Sequence, residues 1–227
     1  MTGFIGVLSL DTRFERISGD AGNPESYPIP ARVAVVADAG PPQIVSPGRP
    51  APDLVRAFCD AAQELEKDGA VALVSTCGFL GAVQDEIARA VSVPVMVSAV
   101  ALLPVVKALH GGRPVGILTA SRASLEGAPW FKRLAGAEDA AVAGMEDCPA
   151  FAESFLAPKQ KQCAALDRKA VEAAVLAKSL ALVQHMPQIG CLLLECGNLP
   201  PFAPAIAATT GRRVYSILDG ARLIAPG

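Results

Sequence analysis

The chain has 227 residues, of which 52% are hydrophobic and 19% charged, and its formal net charge is −2. This length and composition predict a sizeable core, in one large α/β domain or two small halves, and exclude a disordered chain or a disulfide scaffold. No basic patch is visible, which argues against a nucleic-acid partner. The N-terminus lacks a signal-peptide pattern and no run of about 18 apolar residues occurs, so we expect a cytoplasmic protein with no membrane partner.

Strand-like runs rich in Val, Ile and Leu alternate with helical patterns along the chain. The predicted strands cover residues 4–10, 32–37, 70–76, 93–98, 114–119, 139–144, 189–195 and 213–217. The predicted helices cover about 52–67, 79–91, 99–109, 122–135, 165–185, 200–209 and 219–224. Near-continuous apolar strands separated by helices indicate mostly parallel sheets with helices on both faces. The Pro- and Gly-rich stretches 19–31 and 39–52 are predicted loops, and the first follows strand one, where binding loops usually lie.

An internal repeat divides the sequence. A shift of 119 positions places Cys77 on Cys196, Gly78 on Gly197 and Val95 on Val214. A second similarity, at an offset of 110, matches IGVLS at 5–9 with VGILT at 115–119 and so pairs Ser9 with Thr119. Two unrelated βα units can also produce such a similarity.

The repeat predicts an α/β fold of two pseudo-symmetric lobes that face a shared cleft. Lobe one would comprise residues 1–110 with Cys77, and lobe two residues 111–227 with Cys196. A chain crossover between the lobes near the C-terminus is left open.

Cys77 and Cys196 end two apolar strands and precede helical patterns. Ligands of parallel α/β sheets bind at that edge, and a helix start lowers a thiol pKa. Two thiols across a cleft suit one reaction, in which one thiolate removes a proton from carbon and the opposite thiol returns one. A lone thiol suits proton return after loss of a group, or nucleophilic addition. The alternative is that each cysteine is only a small buried hydrophobe.

Three segments resemble the aspartate/glutamate racemase superfamily, which includes hydantoin racemases, arylmalonate decarboxylases and maleate isomerases. They are LVSTC with the downstream VPVMV, GILTAS at 116–121 and LLLEC at 192–196. The resemblance implies two α/β lobes, a small carboxylate substrate, no cofactor, and Cys77 and Cys196 as the catalytic residues. It also implies a set of substrate-binding residues: Ser9, Asp11, Gly78, Phe79, Thr119, Ser121, Gly197 and Asn198.

The residues after each cysteine depart from the amino-acid racemases. Gly78-Phe79 replaces the usual Asn-Thr, and Gly197-Asn198 replaces Thr followed by His or Glu. The partners that usually hold an α-amino group are therefore absent at these positions.

The sequence thus predicts an isomerase, a cofactor-independent racemase or epimerase that acts at the carbon next to a carboxylate. The alternatives are a decarboxylase or cis–trans isomerase of a small dicarboxylate, and a non-catalytic carboxylate-binding or redox-sensing protein. No metal site is expected, because no CxxC occurs and His110 and His185 are the only histidines. A homodimer is expected from base rates alone.

Other polar residues near the strand ends have weaker signals. Arg13 can bind a carboxylate or pair with Asp11. Strand alternation is expected to turn Glu195 away from the side chain of Cys196. The remaining residues of this kind are expected to be structural: His110, His185, Cys59, Cys148, Cys163 and Cys191.

Overall fold

Two four-stranded parallel sheets form the frame of the protein, whose computed structural model describes residues 3–225. The strands are β1 (Phe4–Leu10), β2 (Ala31–Val36), β3 (Ala70–Ser75), β4 (Val95–Met96), β5 (Val115–Thr119), β6 (Ala141–Gly144), β7 (Cys191–Leu194) and β8 (Arg213–Tyr215). All eight predicted strands are present. β4 is much shorter than the predicted 93–98, with only Val95 and Met96 paired to β3.

The two sheets have the same topology. Their strand orders are β2-β1-β3-β4 and β6-β5-β7-β8. The register repeats as well, since Leu73 pairs with Val95 in the first sheet and Leu192 pairs with Val214 in the second. The predicted two-lobed, pseudo-symmetric α/β fold is therefore confirmed.

Helices flank both sheets. They are α1 (Pro41–Ile44), α2 (Pro52–Lys67), α3 (Gln84–Ala90), α4 (Leu103–Leu109), α5 (Arg122–Gly127), α6 (Pro129–Lys132), α7 (Pro149–Phe151), α8 (Arg168–His185), α9 (Ala203–Thr210) and α10 (Ile217–Ile224). The predicted helix 122–135 is interrupted because Pro129 holds Ala128 in an extended conformation. The sequence did not predict α1 or α7, which continues into a π-helical turn at Ala152–Leu156.

The C-terminal helix connects the two sheets. β8 belongs to the second sheet, yet α10, which follows it directly, packs against β3 and β4 of the first. Gly220 of α10 lies against Met96 in β4. Within residues 3–225, no helix has the combination of length and apolar character that a membrane crossing requires.

The two strand-end cysteines meet at the centre of the molecule. Cys77 and Cys196 form an isolated antiparallel β-bridge just beyond the carboxyl ends of β3 and β7. The following glycines allow this approach: a Cβ atom at Gly78 would lie 2.6 Å from the carbonyl oxygen of Glu195, and one at Gly197 would overlap that of Thr76. Each glycine therefore packs against the residue that precedes the opposite cysteine.

Replacing Gly197 by alanine should push the two strand ends apart, because its methyl group would meet backbone rather than a flexible side chain. We expect a loss of about 1–3 kcal/mol in the free energy of unfolding, as for overpacked cores, measured by urea denaturation. Gly48→Ala is the control, since the nearest atom to its Cβ position is 4.0 Å away. Equal stabilities of the two variants would contradict this account of the bridge.

Candidate active site

A small cavity lies at the bridge, between the carboxyl ends of the two sheets. Its free volume is about 20 Å³, roughly the space of a single water molecule. Both cysteines line it, together with an apolar wall from both lobes: Leu10, Phe14, Pro41, Val45, Phe79 and Phe155. The cavity is therefore the point at which the two halves of the repeat face each other.

Both thiols are buried, and burial dominates their ionisation. It raises the pKa of Cys77 to about 12; the nearby Glu195 adds to this rise, while the backbone N–H groups of Phe79 and Leu80 oppose it. Burial, followed by Glu195, also raises the pKa of Cys196 well above its ordinary value. The sequence predicted lowered thiol pKa values from the helix starts. Burial outweighs that effect here, so both thiols are protonated at neutral pH.

Glu195 is a buried carboxyl group beside both thiols. Its side chain Oε2 accepts a hydrogen bond of 2.8 Å from the Thr119 hydroxyl, whereas Oε1 has no hydrogen-bond partner. Burial raises the pKa of Glu195 to about 7, against the opposing effect of hydrogen bonds from Thr119 and the backbone of Ala120. The expectation that Glu195 turns away from Cys196 is wrong, because both side chains line the cavity. β7 ends at Leu194, so strand alternation does not extend to these residues.

Arg16 supplies a positive charge to the cavity wall. Its guanidinium forms an ion pair of 3.0 Å with Asp20, donates to the Thr12 hydroxyl at 3.0 Å, and lies 4.5 Å from the centre of the Phe14 ring. Asp20 in turn accepts a hydrogen bond of 2.9 Å from the side-chain amide of Asn198. Neither Arg16 nor Asp20 was a sequence candidate, since both lie in loops that lack periodicity. Their spacing of four residues beside a predicted binding loop was the available signal.

Three of the predicted binding residues line the cavity with the cysteines: Gly78, Phe79 and Asn198. Two others lie one contact behind it. Thr119 bonds to Glu195, and the Ser9 hydroxyl is 3.5 Å from the guanidinium of Arg16. Ser9 and Thr119, paired in the repeat, therefore each contact a charged residue of the wall.

The other predicted binding residues do not reach the cavity. Asp11 forms an ion pair with Lys159, and Ser121 caps α5 by accepting a hydrogen bond from the backbone of Ser124. Gly197 packs against Thr76 and accepts a hydrogen bond from the backbone of Ala21. The side chain of Arg13 is exposed, and its backbone N–H donates to Gln162. Contact of these residues with a substrate therefore stays a prediction.

Residues 149–164, which we call the cover segment, lie over the cavity from lobe two and contribute Phe155 and Leu156 to its lining. Phe155 packs edge-on against Phe14 with ring centres 4.8 Å apart, and Phe151 packs on Phe155 at the same distance. The side chain of Gln162 and the carbonyl of Ala164 accept hydrogen bonds from the loop that follows β1. A carboxylate substrate needs more room than one water, so its entry requires the cover segment or this loop to shift.

The arrangement suits proton transfer and the binding of a charged small molecule. Two thiols and one carboxyl group can exchange protons, and Arg16 can attract an anion. Within residues 3–225, no cluster of three or more His, Cys, Asp or Glu side chains is placed to hold a metal ion.

Comparisons with known proteins decide the family. The profile of the Asp/Glu/hydantoin racemase family matches residues 24–225. The chain belongs to the Asp/Glu/hydantoin racemase family. Its fold resembles that of an arylmalonate decarboxylase Gly74Cys mutant, with a TM-score of 0.64 and 15% identity over 99% of this chain and 94% of the other. Allantoin racemase from Pseudomonas fluorescens has the same fold, with a TM-score of 0.62 and 12% identity over 97% and 89%.

The chain shares more sequence identity with a group of lyases than with these two solved structures. It is 30% identical to dimethylsulfoniopropionate lyase from Durusdinium sp. clade D, over 96% of this chain and 72% of that protein. It is 26% identical to dimethylsulfoniopropionate lyase 7 from Emiliania huxleyi, over 94% and 64%. The proteins that resemble this chain in sequence or fold include racemases, a decarboxylase and lyases, and the fold alone does not choose among their reactions.

Glu195 should make stability depend on pH. Its folded-state pKa of about 7 lies above the unfolded value of 4.5, so its favourable contribution is complete below pH 4.5 and is lost as the pH rises through 7. Relative to Glu195→Gln, the unmodified chain should lose about 3 kcal/mol of unfolding free energy across this range. Urea denaturation at a series of pH values measures the difference. The control is Glu64→Gln, which alters an exposed carboxylate; a Glu195→Gln curve parallel to wild type would exclude a raised pKa.

Proposed function

We propose that the chain is a cofactor-independent enzyme that removes the proton from the carbon next to the carboxylate of a small substrate. The β-bridge that places Cys77 and Cys196 against one small cavity is the observation that supports this chemistry. Carbon acids need a base held close to the proton and protection from bulk water. The buried thiol pair provides the base, and the cover segment provides the protection from bulk water.

The charges of the cavity favour a substrate that carries both a negative and a positive group. The Arg16 guanidinium suits the carboxylate. The carboxyl group of Glu195 and the aromatic side chains of Phe79 and Phe155, which line the cavity, suit a cation without N–H donors, such as a sulfonium. An α-amino group is a poorer match, because the residues after the cysteines lack its usual partners.

We propose β-elimination of dimethylsulfoniopropionate, or of a close analogue, as the reaction. One thiol first passes its proton to the Glu195 carboxylate, and the resulting thiolate takes a proton from the carbon next to the substrate carboxylate. The electrons of that carbon–hydrogen bond form a carbon–carbon double bond. The bond from the next carbon to sulfur breaks, so dimethyl sulfide leaves with the electron pair and acrylate remains. The Durusdinium and Emiliania relatives support this choice, although the chain spans only 72% of the first protein and 64% of lyase 7.

Racemisation or epimerisation is the second candidate. The near-symmetric position of the two thiols at the bridge supports it, because inversion needs a proton donor on the face opposite the base. It shares the first step with elimination and differs only in whether a leaving group is present on the neighbouring carbon.

Purified protein should release dimethyl sulfide and acrylate from dimethylsulfoniopropionate, as followed by gas chromatography. The double variant Cys77→Ser/Cys196→Ser should lose at least about 100-fold of this activity, since it lacks the base. Cys163→Ser is the control, because that thiol is exposed and outside the cavity. No turnover by the unmodified protein would reject the elimination. Chiral analysis of amino acids and hydantoins would then test racemisation, and carbon dioxide release from substituted malonates would test decarboxylation.

Arg16→Gln should raise the KM for a carboxylate substrate by roughly 10- to 100-fold, the usual effect of losing a charged hydrogen bond. Arg13→Gln is the matched control, because its exposed side chain lies three residues away and outside the cavity. Steady-state kinetics should show a KM near that of wild type for Arg13→Gln. Equal KM values for the two variants would exclude Arg16 as the carboxylate-binding residue.

A further inference from the structure

The two thiols of the bridge have different hydrogen-bond environments. Backbone N–H groups favour the thiolate form at both sulfurs, from Phe79 and Leu80 at Cys77 and from Asn198 at Cys196. The Cys196 thiol differs in that it also donates to the side-chain oxygen of Asn198, at 3.4 Å. Donors stabilise a thiolate, whereas an acceptor stabilises a thiol.

The Asn198 amide has only one orientation compatible with its neighbours. Its Nδ2 atom donates to Asp20 at 2.9 Å, and a carboxylate has no hydrogen to donate. The amide nitrogen must therefore face Asp20, which leaves the amide oxygen facing Cys196. That oxygen can accept a proton from a thiol but repels a thiolate.

Asp20 is itself held in place by two other contacts. Its Oδ1 accepts hydrogen bonds from Arg16 at 3.0 Å and from the backbone of Gly22 at 2.7 Å, and its side chain is only 3% exposed. This leaves Oδ2 for Asn198. The predicted binding loop 19–31 thus fixes, through Asp20, the amide that faces the second thiol.

The surrounding charges also favour the thiolate at Cys77 over the thiolate at Cys196. Burial and then Glu195 raise the pKa of both thiols, so these effects do not distinguish them. Arg16 lowers the pKa of Cys77, whereas Asp20 raises that of Cys196. The pseudo-symmetric pair is therefore polarised by residues that the repeat does not duplicate.

We propose that Cys77 is the base and Cys196 the acid, with Asp20 and Asn198 as positioning residues that keep the proton on Cys196. The assignment rests on the proposed function for its chemistry. In elimination, Cys77 takes the proton from the carbon next to the carboxylate, and Cys196 remains a thiol throughout. In inversion, Cys196 gives its proton to the opposite face of the carbanion and becomes the thiolate.

A titration of each thiol tests the assignment without any substrate. The ultraviolet absorbance of thiolate is followed against pH in Cys196→Ser, which retains Cys77, and in Cys77→Ser, which retains Cys196. The titration of the Cys77→Ser/Cys196→Ser double variant is subtracted from each, because all three variants share the other four cysteines. We expect Cys77 to ionise at the lower pH. Asn198→Leu and Asp20→Asn, each combined with Cys77→Ser, should lower the pH at which Cys196 ionises. Ionisation of Cys196 before Cys77, or no shift in either combined variant, would overturn the proposal.

The kinetics of the single variants test the assignment of base and acid a second time. Cys77→Ser should reduce elimination at least about 100-fold, the contribution of a positioned base, and Cys196→Ser should reduce it less than about tenfold. A larger loss for Cys196→Ser would reverse the roles. If the unmodified enzyme does not turn over dimethylsulfoniopropionate, the elimination fails as its function, while the order of the two titrations still decides which thiol is the base.

Discussion

The antiparallel bridge between Cys77 and Cys196 is the constraint on which the rest of the structure depends. It requires two strand ends from separate sheets to touch at the backbone, and only glycine fits at the position after each cysteine. The hydrogen bonds around it repeat across the lobes, because the backbone of Thr76 donates to Leu8 and that of Glu195 donates to Leu118. The bridge therefore lies on the pseudo-twofold axis, and one close contact both joins the lobes and places two thiols beside one cavity.

This geometry buries several ionisable groups at the bridge, which disfavours their charged forms. Two thiols, a carboxyl group and an ion pair line a cavity with room for about one water, and burial raises the pKa values of Cys77, Glu195 and Cys196. Charges act strongly at such a buried site, and a bound charged substrate would change the balance among them. The symmetry of the fold supplies two thiols, whereas Arg16, Asp20 and Asn198 make them unequal. The duplicated strands thus place the two thiols, and loop residues outside the repeat make the environments of these thiols different.

The sequence predicts most of the frame, because strands buried on both faces leave continuous apolar runs that a pattern can reveal. The constant offset of 119 residues also predicts that Cys77 and Cys196 occupy corresponding positions in the two lobes. Other features of the site depend on tertiary contacts, which leave no periodic pattern in the sequence. Glu195 lies beyond the last residue of β7, where alternation no longer holds, and Arg16 enters the cavity because the loop after β1 folds back. The cover segment was missed because its π-helical turn at Ala152–Leu156 has no sequence signature. Gly78 and Gly197 were predicted to bind substrate, and the sequence did not show that each also packs against the opposite lobe.

The most direct test of the account is a kinetic isotope effect at the carbon next to the carboxylate. Dimethylsulfoniopropionate bearing deuterium at both positions of that carbon would be compared with the unlabelled compound under identical conditions. Proton removal by a thiolate predicts that deuteration slows kcat/KM several-fold, whether the sulfur leaves in the same step or after it. Identical rates for the two compounds, with mass added to Cys77 or Cys196, would instead indicate nucleophilic attack by the thiol and would contradict proton transfer as the function of the bridge.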